Sequence, residues 1–133
     1  MKACVLYFSL SGNTWRFAES ISDSLEIPIF DLATSESSVV DDFDVLILGT
    51  PVHGFNPANK VLSFVESLPE GNGKKTILFC TYLIIEGGAL KRLEKKLAKK
   101  GYSTILSVSK RGLKPSKEDF SKIIDEIAKA LKE

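Results

Sequence analysis

The 133-residue chain is 44% hydrophobic and 26% charged, with 18 basic and 17 acidic side chains, two cysteines and one histidine. That length suits one domain, since single domains commonly run to about 100–150 residues, and the apolar share supports a core without disulfides or a structural metal. Two cysteines and one histidine are too few for a zinc or iron–sulfur site, and no apolar run approaches the roughly 20 residues of a membrane span. Met1-Lys2 leads into a strand-like run without signal-peptide design, so a cytoplasmic protein is expected.

The near-neutral total hides an asymmetry. Residues 1–66 carry three basic side chains (Lys2, Arg16, Lys60) against nine acidic ones, and residues 67–133 carry 15 against eight, so the halves stand at −6 and +7. Solvated helix faces of differing sign account for this. So does a basic surface that steers an acidic partner or an anionic cofactor. Nucleic-acid binding is disfavoured, because no aromatic residue interleaves with the Lys-rich run from Lys91 to Lys100.

Strand and helix signals alternate along the chain. Ala3–Phe8 is a continuous apolar run too short for a helix, and Phe17, Ala18, Ile21 and Leu25 then recur at helical spacing. Ile27–Phe30, with Pro28, predicts a weak edge strand, and Ala33–Asp42 reads as a Ser- and acid-rich surface loop. Val45–Leu48 predicts a buried strand ended by Gly49. Ala58, Val61, Leu62, Val65 and Leu68 mark a helix face, stopped by Pro69, Gly71 and Gly73. Thr76–Cys80 is a further buried strand, Ala89, Leu90, Leu93 and Leu97 a helix closed by Gly101, and Tyr102–Val108 the last strand. Pro115-Ser116 with Asp119 predicts a capped helix start, and Phe120, Ile123, Ile124, Ile127 and Leu131 its buried stripe. Five apolar strands separated by four helices predict a parallel sheet covered on both faces, a three-layer α/β/α sandwich formed by residues 1–133 as a single domain. Ligands of such sheets bind beyond the carboxyl ends of the strands, which singles out loops 9–14, 50–57, 81–88 and 109–115.

Between the first strand and the first helix lies Ser9-Leu10-Ser11-Gly12-Asn13-Thr14. Ser9, Ser11, Asn13 and Thr14 carry hydrogen-bond donors, Gly12 allows a tight turn, and a helix N-terminus with unpaired amides stands behind them. This makes a cup for a phosphate containing no Lys or Arg, suited to a phosphate monoester that is never transferred. The P-loop GxxxxGK[ST] and the dinucleotide fingerprint GxGxxG are both missing. A plain turn and helix cap is the alternative reading.

The segment resembles the phosphate loop of the flavodoxin family, (T/S)-x-(T/S)-G-(N/x)-(T/S), and the resemblance extends over the whole chain. It implies a five-stranded parallel sheet of order 2-1-3-4-5 that binds flavin mononucleotide (FMN). Ser9, Ser11, Asn13 and Thr14 would hold the phosphate, with backbone amides around Gly12 and Trp15. The loop Gly49-Thr50-Pro51-Val52-His53-Gly54-Phe55-Asn56-Pro57 is similar to the family's ring-binding loop, with two prolines and two glycines to shape it. The resemblance makes Gly54 the peptide whose carbonyl turns towards flavin N5, and leaves His53 and Phe55 as rival ring covers. His53 would also make a potential pH-dependent, unless it is an exposed loop residue without a role. Cys80, Thr81 and Tyr82 end the next strand. Tyr82 resembles the family's outer stacking aromatic, and Thr81 with the backbone near Gly87 and Gly88 would meet the pyrimidine edge. Leu83-Ile84-Ile85 either roofs the ring, forms a docking patch, or continues the strand inward. Cys4 and Cys80 are expected to be core hydrophobes about 10 Å apart across an intervening strand, beyond disulfide reach.

The expectation is an FMN-binding, low-potential, one-electron carrier, monomeric, serving redox partner proteins of ferredoxin or reductase type. Loops 50–57 and 81–88 lack Lys and Arg, whereas Lys110, Arg111 and Lys114 on the neighbouring loop would oppose a low potential. Two alternatives stay open. One is an FMN-dependent NAD(P)H or quinone reductase of the same fold, and the other is a flavin-free interaction module. A receiver domain lacks its acidic cluster here, and a phosphatase its Cys-x5-Arg loop.

Overall fold

Apolar side chains on both faces of a strand need cover on both sides, and the elements alternate so as to supply it. The computed structural model describes residues 2–10, 12–53, 56–82, 87–111 and 120–132. In chain order the elements are β1 (Ala3–Tyr7), α1 (Asn13–Leu25), β2 (Ile29–Asp31), a 3₁₀ turn (Ser37–Asp42), β3 (Val45–His53), β4 (Asn56–Pro57), α2 (Asn59–Ser67), β5 (Lys75–Tyr82), α3 (Ala89–Lys99), β6 (Ser103–Arg111) and α4 (Ser121–Lys132). The sheet runs β2-β1-β3-β5-β6 with every neighbouring pair parallel, which is the expected five-strand order. The two-residue β4 adds an antiparallel flap on β3.

The two faces separate by the period of two along the strands. Cys4, Leu6, Leu46, Leu48, Leu78 and Cys80 face one way, into a layer with Val61, Phe64 and Val65 of α2 and Leu93 and Leu97 of α3. Ala3, Val5, Val45, Ile47, Ile77 and Phe79 face the other, against Phe17, Ala18 and Ile21 of α1, Phe120 just ahead of α4, and Ile124 and Ile127 of α4. The start predicted for the last helix, at Pro115, Ser116 and Asp119, lies outside the described residues.

Three expectations are corrected. Ala33–Asp42 is not all loop, because a 3₁₀ turn buries Val40, whose carbonyl accepts from Lys74 Nζ at 2.8 Å. The last strand runs on to Arg111, and a bulge between Thr76 and Ile77 of its partner skips Ile105 in the register, leaving that side chain 38% exposed. Finally, β3 does not stop at Gly49 but continues to His53. Gly49 lies beside Phe79, and a Cβ there would overlap the Phe79 ring. Phe79 meets Phe17 with ring centroids 4.8 Å apart, and Phe17 stacks on Phe120 at 4.5 Å. The glycine is thus a packing requirement and not a strand terminator.

Cys4 and Cys80 are buried, and neither is in a disulfide. Cys4 aligns with Leu46, and Leu46 with Thr76, so Cys80 is two strands across and four residues further along, roughly 16 Å away. Burial pushes the Cys4 thiol up to about 12, with Lys74 pulling weakly the other way.

Two predictions follow from this packing. Gly49→Ala should cost about 1–3 kcal/mol by overpacking, read from urea unfolding. Because the folded Cys4 thiol titrates above its unfolded value, its contribution is complete below about pH 9 and is lost as pH rises towards about 12. Tyr7 and Tyr102, also raised by burial, act with the same sign, so the cysteine's share is the difference between wild type and Cys4→Ala. The variant should lose less stability than wild type over that alkaline range.

Candidate functional site

The chain leaves β1 for β2 on one side and returns to β3 on the other, so the connections diverge and open a crevice at the carboxyl ends of β1 and β3. Around it lie the segment after β1, the N-terminus of α1, the β3–β4 flap, the end of β5 and the start of α3.

Gly12 is the first-turn hinge. Its φ of 94° lies in the left-handed region that disfavours side chains, and it heads α1 with no side chain capping the helix. The Gly12 N–H donates to Ser9 Oγ at 3.1 Å, so the serine accepts in this bond and keeps its own proton to donate. Leu10 and Trp15, 67% and 41% exposed, flank this turn. Asn13 and Thr14 are buried instead, and Thr14 Oγ1 lies 2.7 Å from Thr81 Oγ1. That hydroxyl pair ties the start of α1 to the end of β5. Ser11 lies outside the described residues.

The expectation of a turn without a cation does not hold in three dimensions. Arg16 stands one helical turn after Gly12, and helix side chains lean towards the N-terminus. Its Nη1 is 3.3 Å from where a Cβ on Gly12 would be, and that nitrogen is buried without a hydrogen-bond partner. The i, i+4 spacing from Gly12 was the available signal, and reading the loop as a linear segment missed it.

At the second loop, Thr50 Oγ1 accepts from the Ala58 N–H at 3.0 Å and donates to the Pro51 carbonyl at 2.9 Å, closing the flap in which Val52 faces Pro57 and His53 faces Asn56. The hydroxyl of Thr50 is thereby spent on shaping the loop. Pro51 is half-buried, and Val52 packs on the core. Gly54 and Phe55 lie outside the described residues, as do residues 83–86, which include Leu83, Ile84 and Ile85. At the third loop Cys80 is fully buried, Thr81 is paired with Thr14, and half-buried Tyr82 leans on the core layer beneath α2 and α3. Gly87 and Gly88 hold φ of 64° and 81°, and Gly88 precedes α3.

Basic residues from distant parts of the sequence stand beside these loops. Arg92 of α3 donates to Asn56 Oδ1 on the flap, while Lys110 and Arg111 align with Thr81 and Tyr82 across the sheet. Among the described residues no cluster of three His, Cys, Asp or Glu side chains could hold a metal. The arrangement offers hydrogen-bond donors and positive charge, which suit an anion beside two shaped loops.

Residues 4–112 match the family model described as a flavodoxin domain. The chain belongs to the flavodoxin family. An uncharacterised protein of Methanocaldococcus jannaschii is 25% identical over 108 residues, covering 79% of this chain and 71% of that protein. The oxidised flavodoxin 1 of Bacillus cereus superposes with a TM-score of 0.82 at 25% identity, over 99% of this chain and 98% of that one. The rubredoxin oxygen:oxidoreductase of Desulfovibrio gigas superposes with a TM-score of 0.76 at 19% identity, over 98% of this chain but only 36% of that one, so the same fold occurs there as part of a longer chain. Among the described residues, no helix of this flavodoxin-family chain is long and apolar enough to cross a membrane.

The Thr14–Thr81 pair should show strong coupling. Thr14→Val or Thr81→Val alone strands a buried hydroxyl and should cost about 1–3 kcal/mol, while the double variant should cost clearly less than the sum, as read from a denaturation cycle.

Proposed function

We propose that this chain is an FMN-binding one-electron carrier. The observation that carries the reading is the start of α1 at the switch point of the sheet, headed by left-handed Gly12 and left without a side-chain cap. Uncapped helix amides and a positive dipole end suit the phosphate of a mononucleotide. The residues present fit that group. Ser9 keeps a proton to donate, and Gly12 supplies a turn no larger residue adopts easily. Ser11 and the backbone of Asn13, Thr14 and Trp15 complete the phosphate set in this reading. The flap of Thr50–His53 with Gly54 and Phe55, and the end of β5 with Tyr82, flank the ring, and the backbone near Gly87 and Gly88 meets its polar edge.

FMN supplies electron-transfer chemistry that no side chain offers. The chain's own part is to bind the phosphate, to shape two loops against a planar ring and to set the local charge. Arg92, Lys110 and Arg111 favour negative charge near those loops, so the potential is higher than the loop sequences alone imply. A redox protein, engaged by the monomer, is the partner this reading requires.

Purified protein mixed with FMN and freed of excess should retain a bound-flavin absorption spectrum, with flavin fluorescence quenched on titration. Once chemically reduced, it should pass electrons singly to a one-electron acceptor without oxidising NAD(P)H by itself. Ser9→Ala should weaken FMN binding about tenfold or more, a charged hydrogen bond being worth roughly 1.5–3 kcal/mol. No binding at high FMN concentration would overturn the reading.

A further inference from the structure

We propose that Arg16 is the residue by which this site distinguishes a phosphorylated from an unphosphorylated flavin, an inference that rests on the FMN reading above. The first observation is geometric. Arg16 lies in the second turn of α1, and its guanidinium folds back over the first, with Nη1 3.3 Å from the position of a Cβ on Gly12. Gly12 therefore does two things: its left-handed backbone starts the helix, and its missing side chain makes room for the cation. The second observation is the state of that nitrogen, buried and without a partner. The third is electrostatic. A guanidinium at the amino end of a helix adds positive charge to the positive end of the dipole, an arrangement that is unfavourable in the protein alone.

Among the described residues no carboxylate forms an ion pair with Arg16, and Glu19, three positions on along α1, is exposed. A buried, unpartnered donor lying beside an uncapped helix start is complementary to an anion there. The planar guanidinium matches a phosphate monoester, with its several negative oxygens, better than a neutral ribityl hydroxyl. Arg16 thus acts as a specificity residue for the phosphate end of the ligand and has no part in electron transfer.

The test titrates FMN and riboflavin separately into the flavin-free full chain, following flavin fluorescence, for wild type, Arg16→Gln and Arg16→Lys. Arg16→Gln should weaken FMN binding about 10- to 100-fold and change riboflavin binding less than twofold, with Arg16→Lys in between. The salt dependence of FMN binding should flatten in Arg16→Gln. Inorganic phosphate should raise the Tm of the flavin-free wild type and leave that of Arg16→Gln unmoved. Flavin-free Arg16→Gln should melt no lower than wild type, because it loses only an uncompensated charge. Unchanged FMN affinity, an equal loss for both flavins, or a Tm several degrees lower without ligand would overturn the assignment. Wild type that binds riboflavin as tightly as FMN overturns the role of Arg16 while leaving flavin binding in place. Wild type that binds neither flavin overturns the FMN reading itself.

Discussion

A side chain that is missing at Gly49 holds this molecule in register. Because no Cβ projects there, the Phe79 ring lies across β3 and reaches Phe17 of α1, which in turn stacks on Phe120 ahead of α4. Aromatic rings packed at these distances combine large buried area with a preferred geometry, so they locate a helix on a sheet more narrowly than aliphatic contacts do. The same residue contributes its carbonyl, which accepts from the Phe8 N–H at 3.3 Å where the chain leaves β1. The position of α1 and the exit of the first loop therefore depend on one glycine in the strand between them. Since the uncapped end of α1 opens at the switch point, the candidate site inherits its aim from this core contact.

The site is made from groups that are already committed to the fold. Thr50 shapes the flap, Thr14 and Thr81 lock α1 to β5, and Asn13 is buried, so several polar residues of the loops serve as framework. Buried hydroxyl pairs of this kind resist loosening, because separating them leaves both partners unsatisfied. Among the described residues, what is left for a ligand is sparse: the Ser9 hydroxyl proton, the uncapped amides of α1 and the buried orphan nitrogen of Arg16. A rigid scaffold with few free donors binds with little ordering cost, which is the physical advantage of a preorganised site. Charge follows the same division. The acidic half of the sequence contributes β1, α1 and β3, and the basic half brings Arg92, Lys110 and Arg111 to the loops beside them.

Periodicity was enough to read the layered fold, since unbroken apolar runs such as Ala3–Phe8 and amphipathic stretches such as Leu90–Leu97 state which faces are buried, and alternation of the two types implies parallel strands with helices on either side. The small polar residues of 9–14 likewise mark a candidate turn, because donor chemistry and placement after the first strand are local properties. Meaning that depends on neighbours distant in sequence was not legible. Gly49 looks like a terminator until Phe79 is beside it, and nothing local shows that the hydroxyls of Thr14 and Thr81 meet across 67 positions. Arg16 was visible as a helix residue, yet its role emerges only when the helical turn carries its guanidinium back over Gly12 and the surrounding chain leaves it no partner. Secondary structure and loop composition are short-range consequences of residue type. Which donor is spent and which stays free is a question of packing, answered where strands and helices close on one another.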